Sequence, residues 1–322
     1  MSATDAQAFW ITAPERAELR PADVQRGNHE VLVKTLFTGI SRGTERLVFH
    51  GNVPSTEHQT MRAPFQEGAF TFPVKYGYSA VGKVQGGPRD GKTVFALFPH
   101  QTHFAIPEAA ALTVPDAVPA NRAVLAANME TALTILWDAG IGPGDKVAVI
   151  GSGVVGALVG YLAGRIPGTE VTLIDIDETR ASLAAKLGCS FATPDDADGD
   201  ADVVVHASAS DAGFAKAIAL AGMEATIVEA SWYGARTTQA PLGGPFHQRR
   251  LKIIASQVGR IPAHHAARWD YGRRMRKALD LLVDEQLDAL ISGESEFLAL
   301  PDQYGSILAD PATLCHRISY QA

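Results

Sequence analysis

From residue 146 to 256 the chain alternates short apolar runs with helical segments of about ten residues, and nothing else in it constrains the fold as tightly. The pattern predicts strands over 146–150, 170–174, 202–206, 225–229 and 251–256. It predicts helices over 154–163, 178–187 and 212–221, the last two closed by Gly188 and Gly222. Strands alternating with helices build a parallel sheet. Uniformly apolar runs such as Val147-Ala148-Val149-Ile150 suit a sheet covered on both faces. A helix over 121–139 precedes this region and stops at Gly140 and Gly142. Further upstream the pattern is β-like, with strands predicted over 30–35, 80–84 and 93–97. The polar segment 51–73 carries Met61, Phe65, Phe70 and Phe72, and reads as a lid, a contact between copies or mobile surface. Downstream, residues 268–284 read as an amphipathic basic helix with either a solvated face or a surface for an anionic ligand. A short helix over 303–308 and a strand over 316–320 follow.

Composition narrows the function classes. A length of 322 residues suggests two domains. The net charge of −7 argues against a nucleic-acid surface, which needs a dense basic field. Two cysteines, Cys189 and Cys315, are too few for a disulfide scaffold or a cysteine-rich metal site, so a reduced, cytoplasmic setting is expected. Residues 1–19 lack a basic start followed by an apolar core, so no signal peptide is expected. Val147 to Gly164 is uncharged for 18 residues but holds five glycines, and a spanning helix needs about 20 apolar residues. No membrane association is expected.

The sharpest motif is Gly151-Ser152-Gly153-Val154-Val155-Gly156, which follows a predicted strand and opens a predicted helix. Gly151 permits a tight turn, Gly153 lets backbone approach a pyrophosphate, and Gly156 lets helix and strand pack closely. Phosphates would sit on the N–H groups of the helix N-terminus. Asp175 ends the next strand, 19 residues after Gly156, where a carboxylate accepts from the adenosine ribose hydroxyls. Ile176 follows it. Asp175 also repels a 2′-phosphate: two charges near 4 Å interact by about 4 kcal/mol at an effective dielectric of about 20. After screening, NAD(H) is expected to be preferred over NADP(H) by roughly one to three decades. Arg180 could soften that preference by reaching a phosphate. Ala207, Ser208 and Trp232-Tyr233 fall at predicted carboxyl ends of strands, where ligands bind in open α/β sheets.

With these residues in hand, the chain resembles the medium-chain dehydrogenase/reductase superfamily over nearly its full length. Thr38-Gly39-Ile40-Ser41-Arg42-Gly43-Thr44-Glu45 resembles the superfamily's G-I-C-x-T-D region. Tyr76-Gly77-Tyr78-Ser79-Ala80 with Gly82 resembles its G-H-E-x-x-G turn. Met129-Glu130-Thr131-Ala132 resembles its G-L-T-A helix start, and His316-Arg317-Ile318 takes the place of its closing strand. Gly39 to Leu47 is most similar to the bacteriochlorophyllide dehydrogenase-like branch. The resemblance implies an α/β fold: a GroES-like β-rich catalytic domain over 1–121, with 259–322 returning to it, and a Rossmann domain over 122–258. It also implies a homodimer acting on a small-molecule substrate, with Thr131 contacting the cofactor.

The departures matter as much. At the superfamily's zinc-ligand positions stand Ser41 (or Arg42), Tyr78, Ser79 and, near the third, Ala127; none is a good zinc ligand. Residues 86–91 form a short turn in place of a four-cysteine lobe. No catalytic and no structural zinc is therefore expected, with His100, His103 and Glu130 as an alternative ligand set. Both cysteines are expected outside the cleft. Without a metal, hydrogen-bond donors must polarise a carbonyl. The layout implied by the resemblance makes Tyr78 the first choice, with Thr44 relaying protons and Ser41 lining the cleft. It puts Glu130 at the cleft mouth, kept ionised by the helix N-terminus. Tyr78 as a plug of the empty metal cavity, Ser41 and Thr44 as helix caps, and Glu130 as a helix-end charge stand open beside this. The expected function is zinc-independent hydride transfer between NAD(H) and an alcohol/carbonyl or an activated double bond. The alternatives are a non-catalytic dinucleotide-binding protein, structural or sensory, and a zinc dehydrogenase with non-standard ligands.

Overall fold

The long strand Glu30–Ser41 organises one half of the molecule, because its backbone pairs with neighbouring strands on both edges. It runs antiparallel to Ala80–Gln85, to His103–Pro107 and to the late strand Cys315–Ser319, with a register shift between Thr35 and Phe37. Ile291–Glu296 adds parallel to Cys315–Ser319. Val33, Val84, Val94, Phe104 and Ile106 fill the core beneath, with Phe98 stacked on Phe104 at 4.1 Å. The computed structural model describes residues 4–320. Met1–Ala3, the start of the N-terminal stretch, and the last two residues lie outside it.

The chain divides into two compact units, Met1–Ala127 with Met275–Ala322, and Asn128–Arg274. These boundaries replace the expected 121/122 and 258/259. The helix expected over 121–139 is two, Ala120–Ala123 and Ala126–Ala139, and the division falls just inside the second. At the other end, Arg274 is bonded to Glu130 and to the carbonyls of Val258 and Arg260, which holds 259–274 in the second unit.

The first unit contains elements that the sequence pattern did not mark. Thr4–Ala13 and Arg16–Val24 form an antiparallel hairpin. Helix Arg42–Phe49 follows Ser41 directly, and the Glu45 carboxylate accepts from the Ser41 N–H at 2.7 Å, closing its first turn. Segment 51–73 is held to its own unit: Phe70 is buried 5.8 Å from Tyr76, and Phe65 lies 5.5 Å from Phe98.

The second unit is a six-stranded parallel sheet. In space its strands run Ser190–Ala192, Glu170–Ile174, Lys146–Ile150, Ala201–His206, Ala221–Glu229, Lys252–Ala255. Within the unit this is the order 3-2-1-4-5-6 of a Rossmann sheet. The short third strand was not expected, and Gly222 closes no helix. Helix Asp211–Leu220 passes straight into the next strand, with Gly222 inside it. The uncharged run 147–164 is a strand and the helix Val154–Ala163; among the described residues no helix is long and apolar enough to cross a membrane. The basic helix is shorter than expected, Tyr271–Asp280, and Arg274 on it is 2% exposed.

Candidate active site

The glycine turn has the geometry that its residues require. Gly151 sits at φ +98°, and a Cβ there would lie 2.7 Å from the Ser208 nitrogen. A Cβ on Gly156 would lie 2.0 Å from the Gly151 carbonyl oxygen, so strand and helix meet at a distance only glycine allows. At Gly153 the space is open, with nothing within 4 Å of a built Cβ. Gly153 is also the N-cap of Val154–Ala163 and makes no side-chain cap, so the first N–H groups of that helix, Val154 and Val155 among them, keep their donors for a ligand. The Ser152 hydroxyl is buried without a hydrogen-bond partner. Gly156→Ala is expected to lower the unfolding free energy by about 1–3 kcal/mol, the usual cost of overpacking. A denaturant melt checks this, and a variant as stable as the parent would mean that the turn relaxes freely.

Asp175 follows the strand Glu170–Ile174. Its carboxylate accepts from the Ser152 N–H at 2.7 Å and from the Asp177 N–H at 3.1 Å, which pins it beside the glycine turn. Ile176, next to it, is 87% exposed, an apolar face beside the acid. Arg180 meets Asp177 at 3.5 Å. Hydrogen bonds from Thr179 hold the Asp177 carboxyl below the usual range. Thr131 lies part-buried on helix Ala126–Ala139.

On the far side of the turn the sheet ends in a polar cluster. His206, wholly buried, ends strand Ala201–His206; its Nδ1 lies 2.7 Å from Glu229 Oε2 and its Nε2 2.7 Å from Ser208 Oγ. Tyr233 donates to Glu229 at 3.0 Å, and the Ser231 N–H donates to the same carboxylate at 2.8 Å. Burial opposes the Glu229 charge, but His206 and Ser231 outweigh it and hold the carboxyl below its usual range. Burial and Glu229 push the Tyr233 phenol up. Ser231 Oγ accepts from the Ala209 N–H at 3.0 Å, which brings Trp232, partly buried next in sequence, to the strand end that carries Ala207 and Ser208. His206 and Glu229 were not among the expected site residues. The signal was present in a polar side chain ending each of two apolar strands.

Glu130 is not at an open mouth. It lies past the first turn of its helix, 5% exposed, paired with Arg274 at 3.0 Å. Burial raises its pKa and Arg274 works against that, so its charge is held by a buried partner rather than by the helix end. This pairing accounts for Glu130 without a catalytic role.

The first unit brings the other three expected residues together. The Tyr78 hydroxyl is bonded to Ser41 and Thr44. The ring is only partly covered, but its hydroxyl end is enclosed. Burial, and then the Glu45 charge, push the phenol up to about 12 against those two hydrogen bonds. Ser41 is the N-cap of Arg42–Phe49 but makes no side-chain cap. Behind these lies a network that sequence reasoning missed. Glu45, 0% exposed, accepts from Tyr304 at 2.6 Å and meets His100 Nε2 at 3.1 Å. His100 Nδ1 lies 2.6 Å from Thr38 Oγ1, which meets Tyr320 at 3.1 Å. Cys315, expected away from the site, pairs across the sheet with Ser41. Burial and then Glu45 push its thiol up to about 12, which makes it inert at neutral pH.

No family model matches the chain. D-xylulose reductase A of Aspergillus niger is 25% identical over 199 residues, covering 54% of this chain and 55% of that protein. The chain thus spans about half the length of the curated relatives it matches. L-Idonate 5-dehydrogenase from Escherichia coli superposes with a TM-score of 0.80 at 13% identity, over 99% of each chain. An Escherichia coli alcohol dehydrogenase complexed with NADH superposes at 0.77 and 15% identity, over 98% of this chain and 100% of that one. The chain shares the fold of these dehydrogenases.

The residues that the resemblance sets at zinc-ligand positions, Ser41, Tyr78, Ser79 and Ala127, are poor donors for a metal. Ser41 and Tyr78 offer hydroxyls, and that of Tyr78 is held protonated. Ser79 gives its hydroxyl to the Val124 carbonyl at 2.5 Å, and Ala127 has no donor. Of the alternative set, His100 is bonded to Thr38 and Glu45, and Glu130 to Arg274. Among the described residues no three His, Cys, Asp or Glu side chains are grouped to hold a metal ion.

Proposed function

We propose that the chain is a zinc-independent oxidoreductase that moves a hydride between NAD(H) and an alcohol/carbonyl or an activated double bond. The observation that carries this is the Gly151–Gly156 turn, closed to any Cβ at Gly151 and Gly156 and open at Gly153, with Asp175 pinned beside it. The NADH complex among the structural neighbours supports the same reading. The turn and the helix N-terminus would hold the pyrophosphate, Asp175 the adenosine ribose, and Ile176 an apolar face of the adenine. Bound there, the nicotinamide supplies or takes up the hydride.

The chain's own residues supply the proton side. A phenol with a pKa near 12 stays protonated through the physiological range, so Tyr78 acts as a hydrogen-bond donor to a carbonyl oxygen rather than as a base. Ser41 and Thr44, bonded to it, hold that hydroxyl in place. Glu45 is buried behind Tyr78, and its charge opposes phenolate formation.

Titrating NADH by its fluorescence is expected to give saturable binding, metal analysis to find no stoichiometric zinc, and a panel of aldehydes, quinones and hydroxyalkyl compounds to show turnover. Binding without any turnover would favour a sensory or structural role, and one zinc per chain would overturn the metal-free reading. Asp175→Asn is expected to narrow the NADH-to-NADPH affinity ratio by about tenfold, since the repulsion between two like charges is removed. An unchanged ratio would place the discrimination elsewhere.

A further inference from the structure

The cluster at the end of strand Ala201–His206 fixes the hydrogen-bonding sense of one exposed hydroxyl. At neutral pH the Glu229 carboxylate is ionised and accepts only, so the His206 proton facing it belongs on Nδ1. While the ring carries that single proton, Nε2 is an acceptor, and the Ser208 hydroxyl, 2.7 Å away, donates to it. Ser210 accepts from the Gly213 N–H at 3.0 Å and can give its own proton to Ser208 Oγ at 2.9 Å. Ser208 has then spent its one proton and one of its two lone pairs. What it offers outward, at an exposed position, is a lone pair.

The sheet order says which part of a ligand meets it. Strand Glu170–Ile174 lies on one side of Lys146–Ile150 and strand Ala201–His206 on the other. Asp175 and Ser208 therefore flank the Gly151 turn from opposite sides. A dinucleotide with its adenosine half at Asp175 runs its other half toward Ser208, a step that rests on the function proposed above. We infer that Ser208 accepts a hydrogen bond from the nicotinamide half of the dinucleotide, from a ribose hydroxyl or the carboxamide N–H, and that His206, held by Glu229, is the positioning residue that sets Ser208 to accept rather than donate. A phosphate has no donor to offer at neutral pH and is the wrong partner for this site.

The test compares NADH and ADP, which shares the adenosine and pyrophosphate but lacks the nicotinamide half. Binding is measured to the full chain and to Ser208→Ala, Ser208→Thr, His206→Phe and the Ser208→Ala/His206→Phe double variant. Ser208→Ala is expected to weaken NADH by about tenfold, the scale of one hydrogen bond, and to leave ADP unchanged. Ser208→Thr, which keeps the hydroxyl, should restore NADH binding. His206→Phe should match Ser208→Ala, and the double variant should lose nothing further, because His206 acts through Ser208. An unchanged NADH affinity in Ser208→Ala overturns the inference, as does an equal loss for ADP, which would make Ser208 a phosphate donor. Additive losses in the double variant overturn the role of His206. If His206→Phe does not fold, the alanine and threonine variants at Ser208 still decide the hydroxyl. If the parent chain binds ADP but not NADH, or neither, the proposed function fails with it, an outcome distinct from normal NADH binding that ignores Ser208.

Discussion

Tyr78→Phe lowers turnover by about 10²–10³-fold and leaves NADH affinity within about twofold, the pattern of a lost donor to a developing oxyanion. Burial and Glu45 hold the phenol near 12, so at neutral pH the hydroxyl is fully protonated. The ring itself adds packing that phenylalanine preserves. A pure plug of the cavity would show neither effect: removing one oxygen from a filler leaves kcat where it was. The measurement is steady-state kinetics with a substrate found in the panel, beside fluorescence titration of NADH. Turnover within a factor of three of the parent would remove Tyr78 from the chemistry. The pH dependence has a defined sign. A donor with a raised pKa keeps its proton as pH rises, so the Tyr78-dependent part of the rate falls only on approaching about 12.

Arg274→Met is expected to destabilise the chain by about 3–5 kcal/mol, because it strands a buried carboxylate. Arg274 bonds Glu130 at 3.0 Å, Thr134 at 3.1 Å and the carbonyls of Val258 and Arg260, and both partners of the ion pair are nearly inaccessible. Removing the cation leaves Glu130 with its desolvation and without the interaction that opposes it. Its pKa, already raised by burial, then rises further. A carboxyl whose folded pKa lies above its unfolded value contributes stability below the unfolded pKa and loses it as pH rises through the folded one. The deficit of Arg274→Met is therefore largest at neutral pH and shrinks as the solution is acidified. Thermal unfolding at several pH values checks this. Adding Glu130→Gln should recover most of the loss at neutral pH, whereas a deficit independent of pH would mean that packing, not charge, dominates.

The second unit was legible in the sequence because its signals are local. A glycine turn between a strand and a helix, and an acid at the end of the next strand, lie within about 30 residues, the span of one βαβ unit. Ser190–Ala192 escaped notice because three residues carry no period. Helix Arg42–Phe49 escaped because its start is held by a side chain, Glu45 on the Ser41 N–H, and not by a favourable composition. The role of Glu130 was misjudged for a plainer reason: its partner is Arg274, on a helix whose basic residues looked like a solvated face. Tyr78, Ser41 and Thr44 were brought together by family resemblance. What lies behind them, Glu45 with His100 and Tyr304, joins residues far apart in sequence that no local pattern connects.

Strand Cys315–Ser319 has a further consequence through its place in the chain. It backs Thr38 to Ser41 across the sheet, and in the chain it comes after the whole of the second unit. The unit Asn128–Arg274 is one unbroken stretch and is fully synthesised well before that strand. Domains generally fold as units during synthesis. The unit Asn128–Arg274 is thus set to take shape on the ribosome while the unit that carries Tyr78 still lacks a strand of its sheet. The sheet behind Ser41 is closed only after that second unit has been made.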